Sequence, residues 1–185
     1  NPMPLWIKPD KKLTVRDVME LMRDHFEGTP LDMTDDVGAG PYKLPYRWRP
    51  LTWKVVEEKD APEYCNERAV STQQTGFSFV TQSRSWLPDP IGGVYWFGVD
   101  DTSSTVYIPM YCGIRAVPYS FAVGNGSFTE FTWESGWWVF NFVANYAYSR
   151  YSEMIQDIQT VQRELEGKFL AAQPELKAVV LDRPA

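Results

Sequence analysis

Histidine and cysteine are scarce in this sequence. Its 185 residues include one histidine, His25, and two cysteines, Cys65 and Cys112. The cysteines form neither a CxxC pair nor a spacing that is typical of metal ligands, so the sequence predicts no metal site and no cofactor. We expect both cysteines to be buried and to act as small apolar residues. Whether they form a disulfide is left undecided by the sequence. We expect a structural or surface role for His25, because no motif orients it beside either thiol as a catalytic base.

The sequence also lacks a long apolar run and a cluster of basic residues. No stretch approaches the roughly 18 apolar residues that a membrane-spanning helix needs, and the first four residues, Asn-Pro-Met-Pro, do not resemble a signal peptide. The 18 Lys and Arg residues are scattered and are outnumbered by 24 Asp and Glu residues. These features argue against a membrane-spanning segment and against a nucleic-acid partner. They predict a soluble protein, and they leave open whether it is cytoplasmic or exported.

Hydrophobic residues make up 44% of the sequence, which is enough for the core of one domain over residues 1–185. Near the N-terminus, Thr14 is typical of a helix cap, and apolar residues at helical spacing up to Phe26 predict a helix that Gly28 ends. Residues 29–60 are rich in proline, glycine and aromatic side chains without a period. They predict a long loop that packs on other structure.

Residues 66–111 predict four strands. They are expected at residues 66–72, 76–83, 92–99 and 104–110. The turn residues between the last three strands predict an antiparallel meander. Val94–Val99 is apolar or aromatic at nearly every position rather than at alternate ones, and this pattern predicts a strand that is buried on both faces.

A second helix is predicted to begin at Thr132 or Ser135 and to run to about Ala172, with a short helix or strand beyond Pro174. Two helices cannot cover both faces of the sheet. The sequence therefore predicts an α+β fold whose antiparallel sheet and packed helices are part of a four-layer helix, sheet, sheet, helix sandwich. The second sheet would come from chain outside this sequence, and the chain alone would expose an apolar patch.

Six segments carry a resemblance to a known family. They are residues 32–41, 46–53, 67–72, 82–88, 91–93 and 135–141, which read DMTDDVGAGP, YRWRPLTW, ERAVST, QSRSWLP, IGG and SGWWVFN. Together they resemble the C-terminal part of the cysteine-type dipeptidases of the N-terminal nucleophile (Ntn) hydrolase superfamily, over nearly the whole chain. The resemblance implies the four-layer sandwich, and it implies dipeptide hydrolysis by an N-terminal cysteine whose own amino group is the base. The implied partners are a dipeptide substrate and the remainder of the parent polypeptide. The formation of a homo-oligomer is left undecided.

The chain departs from this pattern at residue 1, which is Asn and offers no nucleophilic oxygen or sulfur. We expect the nucleophile to lie upstream in the parent polypeptide, so that this chain is inactive alone. In related amide hydrolases of the superfamily, an Arg on a sheet strand and an Asn side chain orient the nucleophile and stabilise the oxyanion. The resemblance suggests Arg68, on the predicted first strand, and Asn66 for these roles. A structural ion pair at a sheet edge explains Arg68 equally well.

The aromatic content also fits a function of another class, a non-catalytic module that stacks sugar rings or peptide side chains. Its candidate residues are Trp48, Trp53, Trp86 and Trp133. We expect most of these to be core residues instead, because they fall in predicted elements or in loops that must pack.

Two further features predict structure rather than chemistry. The pairs Asp35–Asp36 and Asp100–Asp101 lack the ligand spacing of a calcium loop, so we interpret them as solvated turns. Arg84 precedes an aromatic and proline-containing segment, where we expect it to anchor a loop or to lie over an aromatic ring.

Overall fold

A computed structural model describes residues 4–46 and 49–182 of the chain. In chain order, these residues form helix α1 (Val15–Met22), strands β1 (Thr52–Lys54), β2 (Glu63–Cys65) and β3 (Phe77–Ser83), helix α2 (Asp89–Gly92), strands β4 (Gly93–Val99) and β5 (Ile108–Tyr111), and helices α3 (Gly136–Ala147) and α4 (Tyr151–Leu181). The fold is therefore mixed α+β with antiparallel sheets and packed helices, as the sequence predicts.

Helix α1 begins where the sequence predicts. The Thr14 hydroxyl accepts a hydrogen bond from the Asp17 amide at 3.2 Å, and the Asp17 carboxylate accepts one from the Thr14 amide at 2.7 Å. These two bonds form a capping box, which satisfies amides that the first helical turn leaves unpaired. The helix ends at Met22, earlier than the predicted end at Gly28. Arg23 leaves the helical conformation, and the chain then turns at Phe26, whose φ is 66°.

Strands β3, β4 and β5 form the predicted antiparallel meander, in the order β3-β4-β5. Phe97 of β4 lies opposite Phe79 of β3 on one side and opposite Ile108 of β5 on the other. β5 begins later than the sequence predicts. The reason is that the Thr105 amide donates to the Asp101 carbonyl at 3.0 Å, which closes a turn where the strand was expected to start.

The prediction of a first strand at residues 66–72 is wrong. Strand β2 ends at Cys65 and pairs with β1 in a separate two-stranded ribbon. Residues 66–72 follow it as a loop. The Asn66 amide donates to the Leu51 carbonyl at 2.8 Å, and the chain then turns inward, so that Ser71 is buried and its amide donates to the loop after α1.

One face of the three-stranded sheet, which we call the helix-covered face, holds the core. Val80, Val94 and Trp96 project from it and are buried with Met19 of α1 and Tyr107. Further apolar side chains from α1 and α4 pack around this cluster. The helix-covered face is therefore closed by helices from both ends of the chain.

The opposite face, which we call the aromatic face, carries Phe77, Phe79, Tyr95 and Phe97. Phe77 and Phe79 are 59% and 46% exposed, while Tyr95 and Phe97 are half-buried. The rings contact one another, with centroids 4.9 Å apart for Phe79 and Tyr95 and 5.7 Å apart for Tyr95 and Phe97. At one end of this face Val99 is 6% exposed, and the Phe121 ring lies 5.9 Å from that of Phe97. Phe77 and Phe79 remain uncovered, and within the described residues no second sheet is stacked on this face. The predicted exposed apolar patch is confirmed.

The predicted single long helix is two helices. α3 begins after Ser135, one of the two predicted starts, and the chain leaves the helical conformation at Arg150, whose φ is −150°. α4 then continues through Pro174 to Leu181, so the separate element that the sequence predicts beyond Pro174 is wrong. The break between α3 and α4 brings Tyr148 to the turn between β4 and β5.

Candidate functional site

Six consecutive residues between β4 and β5, Asp100 to Thr105, form a turn that we call the polar turn. Every one of them is at most 8% exposed, although all six have polar side chains. The prediction of a solvated turn at Asp100–Asp101 is therefore wrong. Asp100 has a φ of 64°, which is uncommon for a residue other than glycine and is typical of tight turns and functional sites.

The Asp101 carboxylate organises this turn. It accepts hydrogen bonds from the Ser103 hydroxyl at 2.6 Å, from the Ser71 hydroxyl at 3.3 Å and from the Tyr148 hydroxyl. Buried carboxylates are tolerated when donors satisfy their oxygens in this way. Asp101 thus joins the loop of residues 66–72 to the start of the break between α3 and α4.

Two tyrosines lie beside this carboxylate. Burial and the neighbouring Asp101 raise the pKa of Tyr148 well above its usual range. The ring centroid of Tyr46 lies 4.5 Å from that of Tyr148, and burial raises the pKa of Tyr46 to about 12. Both hydroxyls therefore keep their protons at neutral pH. The contact also confirms that the long loop before β1 packs on other structure.

Asp100 differs from its neighbour because it has few donors. Burial raises the pKa of its carboxyl, and the Asn141 amide counteracts this only in part, at 3.4 Å from the nearest oxygen. Such a carboxyl takes up a proton more readily than an ordinary aspartate.

A buried ion pair holds the other side of the polar turn. Arg23 after α1 pairs with Glu166 of α4 at 2.5 Å, and its guanidinium also donates to the carbonyls of Thr102 and Thr105 at 3.3 and 3.1 Å. Glu166 in turn accepts from the Tyr107 amide at 2.9 Å. Both charges are buried, but each is matched by the other and by hydrogen bonds, which is the condition for such a pair to be stable.

The predicted site residues lie at the loop of residues 66–72. Arg68 is exposed at a small cleft beside Ser71, and no hydrogen bond or ion pair to its guanidinium is found among residues 4–46 and 49–182. The Asn66 side chain is half-buried and donates to the Pro50 carbonyl at 2.5 Å. Arg68 is therefore on a loop and not on a strand as predicted. The loop connects Arg68 to the polar turn through Ser71.

The remaining candidates are spread over the molecule. Cys65 and Cys112 are both exposed with free thiols, so the prediction of buried cysteines is wrong. His25 is buried as predicted for a structural role, and its Nδ1 lies 3.0 Å from the Glu27 carboxylate rather than beside a thiol. In the part of the chain that the structure describes, no group of three or more metal-binding side chains is arranged to hold an ion.

Three of the four tryptophans of the alternative binding module lie in the described residues, and all three are exposed. Trp48 lies outside the described residues. Trp53 is 42% exposed and stacks on Tyr64 in the ribbon, and Trp86 and Trp133 are 76% and 61% exposed. The expectation that most of them are core residues is therefore wrong. Their exposure leaves a binding role open for each.

A comparison with protein-family models gives one decisive result. The model of Peptidase family C69 matches residues 1–164. The chain belongs to this family. Peptidase family C69 is a cysteine-type dipeptidase family of the Ntn hydrolase superfamily, so the resemblance described above is confirmed. No curated protein sequence matches the chain.

Membership in Peptidase family C69 supports a hydrolase of the peptidase class. The matched residues include Arg68, Asn66 and the whole polar turn, as well as both faces of the sheet. No helix in the described ranges is long and apolar enough to cross a membrane.

Sequence reasoning missed the polar turn and the ion pair between Arg23 and Glu166. The signal for the turn was the run Asp-Asp-Thr-Ser-Ser-Thr directly after an apolar strand, which is typical of a solvated loop as well. The ion pair had no local signal, because its partners are 143 positions apart in the sequence.

Proposed function

We propose that this chain is the C-terminal part of an Ntn dipeptidase, and that the N-terminal cysteine nucleophile is supplied by an upstream segment of the parent polypeptide. The observation that carries the proposal is the aromatic face. Phe77, Phe79, Tyr95 and Phe97 form a contiguous apolar surface on the side of the sheet opposite α1 and α4, and Phe121 contacts its Phe97 end. A large exposed apolar patch calls for a partner surface.

A second sheet is the partner that fits this surface. Two sheets pack face to face at about 10 Å, with side chains of both inner faces interdigitated. Helices on one face and a second sheet on the other would give three of the four layers of a helix, sheet, sheet, helix sandwich. This is the architecture that the family resemblance implies. It would place the aromatic face at the interface between the two central sheets of the parent domain.

In the proposed reaction, the cysteine thiol attacks the carbonyl carbon of a dipeptide while the free amino group of the same cysteine accepts the thiol proton. The C–N bond then breaks, the proton passes to the departing amino acid, and water hydrolyses the acyl-enzyme. Negative charge develops on the carbonyl oxygen during the attack, where fixed donors lower the barrier. We assign that role to Arg68, whose guanidinium has no other described partner, with Asn66 as a second donor.

The test uses the full-length parent protein and a dipeptide hydrolysis assay. Replacement of its N-terminal cysteine by alanine should abolish hydrolysis. Arg68→Gln should lower kcat/KM by about 10²–10³-fold, the range expected for loss of an oxyanion donor, without changing the melting temperature. Arg115→Gln is the matched control, because Arg115 is another exposed arginine on a loop and lies apart from the polar turn.

The outcomes separate the two parts of the proposal. A parent protein that hydrolyses no dipeptide, with its cysteine intact, would refute the dipeptidase assignment. Full activity in Arg68→Gln would refute the role of Arg68 and leave the reaction class intact.

The second candidate is the aromatic binding module, which is favoured by the exposure of Trp53, Trp86 and Trp133. It predicts that oligosaccharides or peptides quench tryptophan fluorescence in a saturable way, and that Trp86→Ala or Trp133→Ala reduces the quenching. Absence of quenching together with dipeptide hydrolysis by the parent protein would rule it out.

A further inference from the structure

A cavity of about 310 Å³ lies between the loop after α1, the polar turn and α4. It has room for on the order of ten water molecules. Its lining is mainly polar and includes the buried side chains of Arg23, His25, Gln162 and Glu166. The cavity is on the helix-covered side of the sheet. Its lining includes neither Arg68 nor Asn66, although the Ser71 amide donates to the carbonyl of Asp24, which lines it.

His25 presents one hydrogen-bond acceptor without a partner. Its side chain is 3% exposed, and its Nδ1 lies 3.0 Å from Glu27 Oε1. An ionised carboxylate only accepts, so Nδ1 carries the proton and Nε2 is an acceptor in the neutral ring. No described residue donates to Nε2. Hydrogen bonds from His25 also overcome the effect of burial on Glu27 and lower its pKa to about 2, so that this carboxylate is ionised.

Gln162 presents a second acceptor. Its side chain is 3% exposed, and its Nε2 donates to the carbonyls of Ser103 and Thr105 at 2.8 Å each. These two bonds use both amide hydrogens and fix the orientation of the group. Its Oε1 therefore remains as an acceptor, and no hydrogen bond to it is found within the described ranges.

The charges around the cavity favour a cation. Four carboxylates line it, against the two guanidinium groups of Arg23 and Arg163. Arg23 is already engaged by Glu166 and two backbone carbonyls, and Arg163 is exposed. The cavity thus combines spare acceptors with excess negative charge, and the donors that are buried in its wall are occupied.

We propose that this cavity binds a small organic ligand through a primary ammonium group, with His25 Nε2 and Gln162 Oε1 as acceptors. An ammonium group offers three donors and one positive charge, which matches the two acceptors and the carboxylates. A metal ion fits less well, because the described side chains form no cluster of three metal ligands. The site is separate from the proposed peptidase chemistry and does not depend on it.

NMR titration with two matched compounds tests the site. L-Leucinamide carries a primary ammonium group, and N-acetyl-L-leucinamide has the same side chain and amide without the charge. His25 is the only histidine of the chain, so its ring resonances report directly on Nε2. We expect saturable shifts of these resonances with L-leucinamide and none with the acetylated compound. Equal shifts with both compounds, or no shift with either, would overturn the proposal.

A pair of substitutions checks the contribution of charge. Glu20 lines the cavity at its exposed rim, and Glu164 is an equally exposed residue of α4 that does not line it. Glu20→Gln should weaken L-leucinamide binding about two- to fivefold, as expected for an exposed charge, while Glu164→Gln should leave it unchanged. Equal effects of the two substitutions would show that general attraction, and not the cavity, accounts for the binding.

Discussion

On strand β4, Trp96 and Phe97 are neighbours in the sequence and are both large aromatic residues, but they lie on different faces of the sheet. Trp96 is completely buried on the helix-covered face, whereas Phe97 is half-buried among the exposed rings of the aromatic face. The apolar character of a residue therefore does not show what packs against its side chain. The helix-covered face is completed by helices of this chain. On the aromatic face Phe121 contacts Phe97, but Phe77 and Phe79 stay exposed among the described residues.

The largest effect is expected in the centre of the helix-covered face. Trp96→Ala would leave a cavity there and should lower the free energy of unfolding by about 4 kcal/mol. Urea denaturation followed by circular dichroism measures this change. A loss below about 1 kcal/mol would show that this face is not the core of the fold.

The next effect is expected at the buried ion pair behind the same face. Glu166→Gln removes one charge of the pair and leaves Arg23 buried without it, so we expect a loss of about 3 kcal/mol. Glu164→Gln, two residues earlier on α4, is the control. Its carboxylate is 61% exposed and pairs only with Lys168 among the described residues, so its loss should cost less than about 0.5 kcal/mol.

A smaller and pH-dependent effect is expected at Glu27, at the edge of the helix-covered side. Its pKa falls from 4.5 to about 2 on folding, because hydrogen bonds from His25 outweigh the opposing effect of burial. A lowered pKa stabilises the fold above about pH 4.5, and this stabilisation is lost as the pH falls through about 2. Since the side chain is half-exposed, we expect Glu27→Gln to cost about 1 kcal/mol at neutral pH.

Unfolding measurements from neutral to acidic pH check this prediction. The difference between the wild type and Glu27→Gln should shrink as the pH falls below about 4.5. Glu175→Gln is the control, because Glu175 is exposed on α4 and makes no ion pair within the described ranges. A difference that does not change with pH would show that the lost interaction is not electrostatic.

The smallest effect is expected on the aromatic face of the chain alone. Phe79→Ser removes an exposed ring that stacks on Tyr95, and we expect a loss of about 1 kcal/mol or less. In the full-length parent protein the same substitution should cost about 3 kcal/mol if a second sheet covers the ring. Equal losses in both proteins would contradict the proposed second sheet, because they would show that no further chain covers Phe79.

Local signals in the sequence predicted several elements well. The cap of α1 at Thr14, the meander of β3, β4 and β5, and the start of α3 after Ser135 each depend on neighbouring residues. Arg84 is also confirmed as a loop anchor, since it donates to the Ile91 carbonyl at 2.6 Å and to Gln173 at 2.9 Å. These features could be predicted because the residues that determine them lie close together in the chain.

The wrong predictions have a common physical cause. The conformation of these segments depends on contacts with residues that are distant in the sequence. Residues 66–72 have the composition of a strand, but Ser71 bonds to the loop after α1 and to Asp101 instead of to a neighbouring strand. The polar turn is buried because Tyr148, Gln162 and Arg23 supply its hydrogen bonds. None of these partners is near Asp100–Thr105 in the sequence, so composition alone favoured a solvated turn.

The order β3-β4-β5 leaves one backbone edge of β3 and one of β5 without a neighbouring strand among the described residues. The two edges are not equally protected against pairing with other molecules. β5 contains Pro109, which has no amide hydrogen to donate, while β3 reads Phe-Ser-Phe-Val-Thr-Gln-Ser and has neither proline nor charge. Uncharged apolar edges of this kind recruit further strands and lead to aggregation. When the chain is produced alone, β3 is therefore where self-association should begin, and a lysine at Thr81 is the substitution to try first for keeping it monomeric.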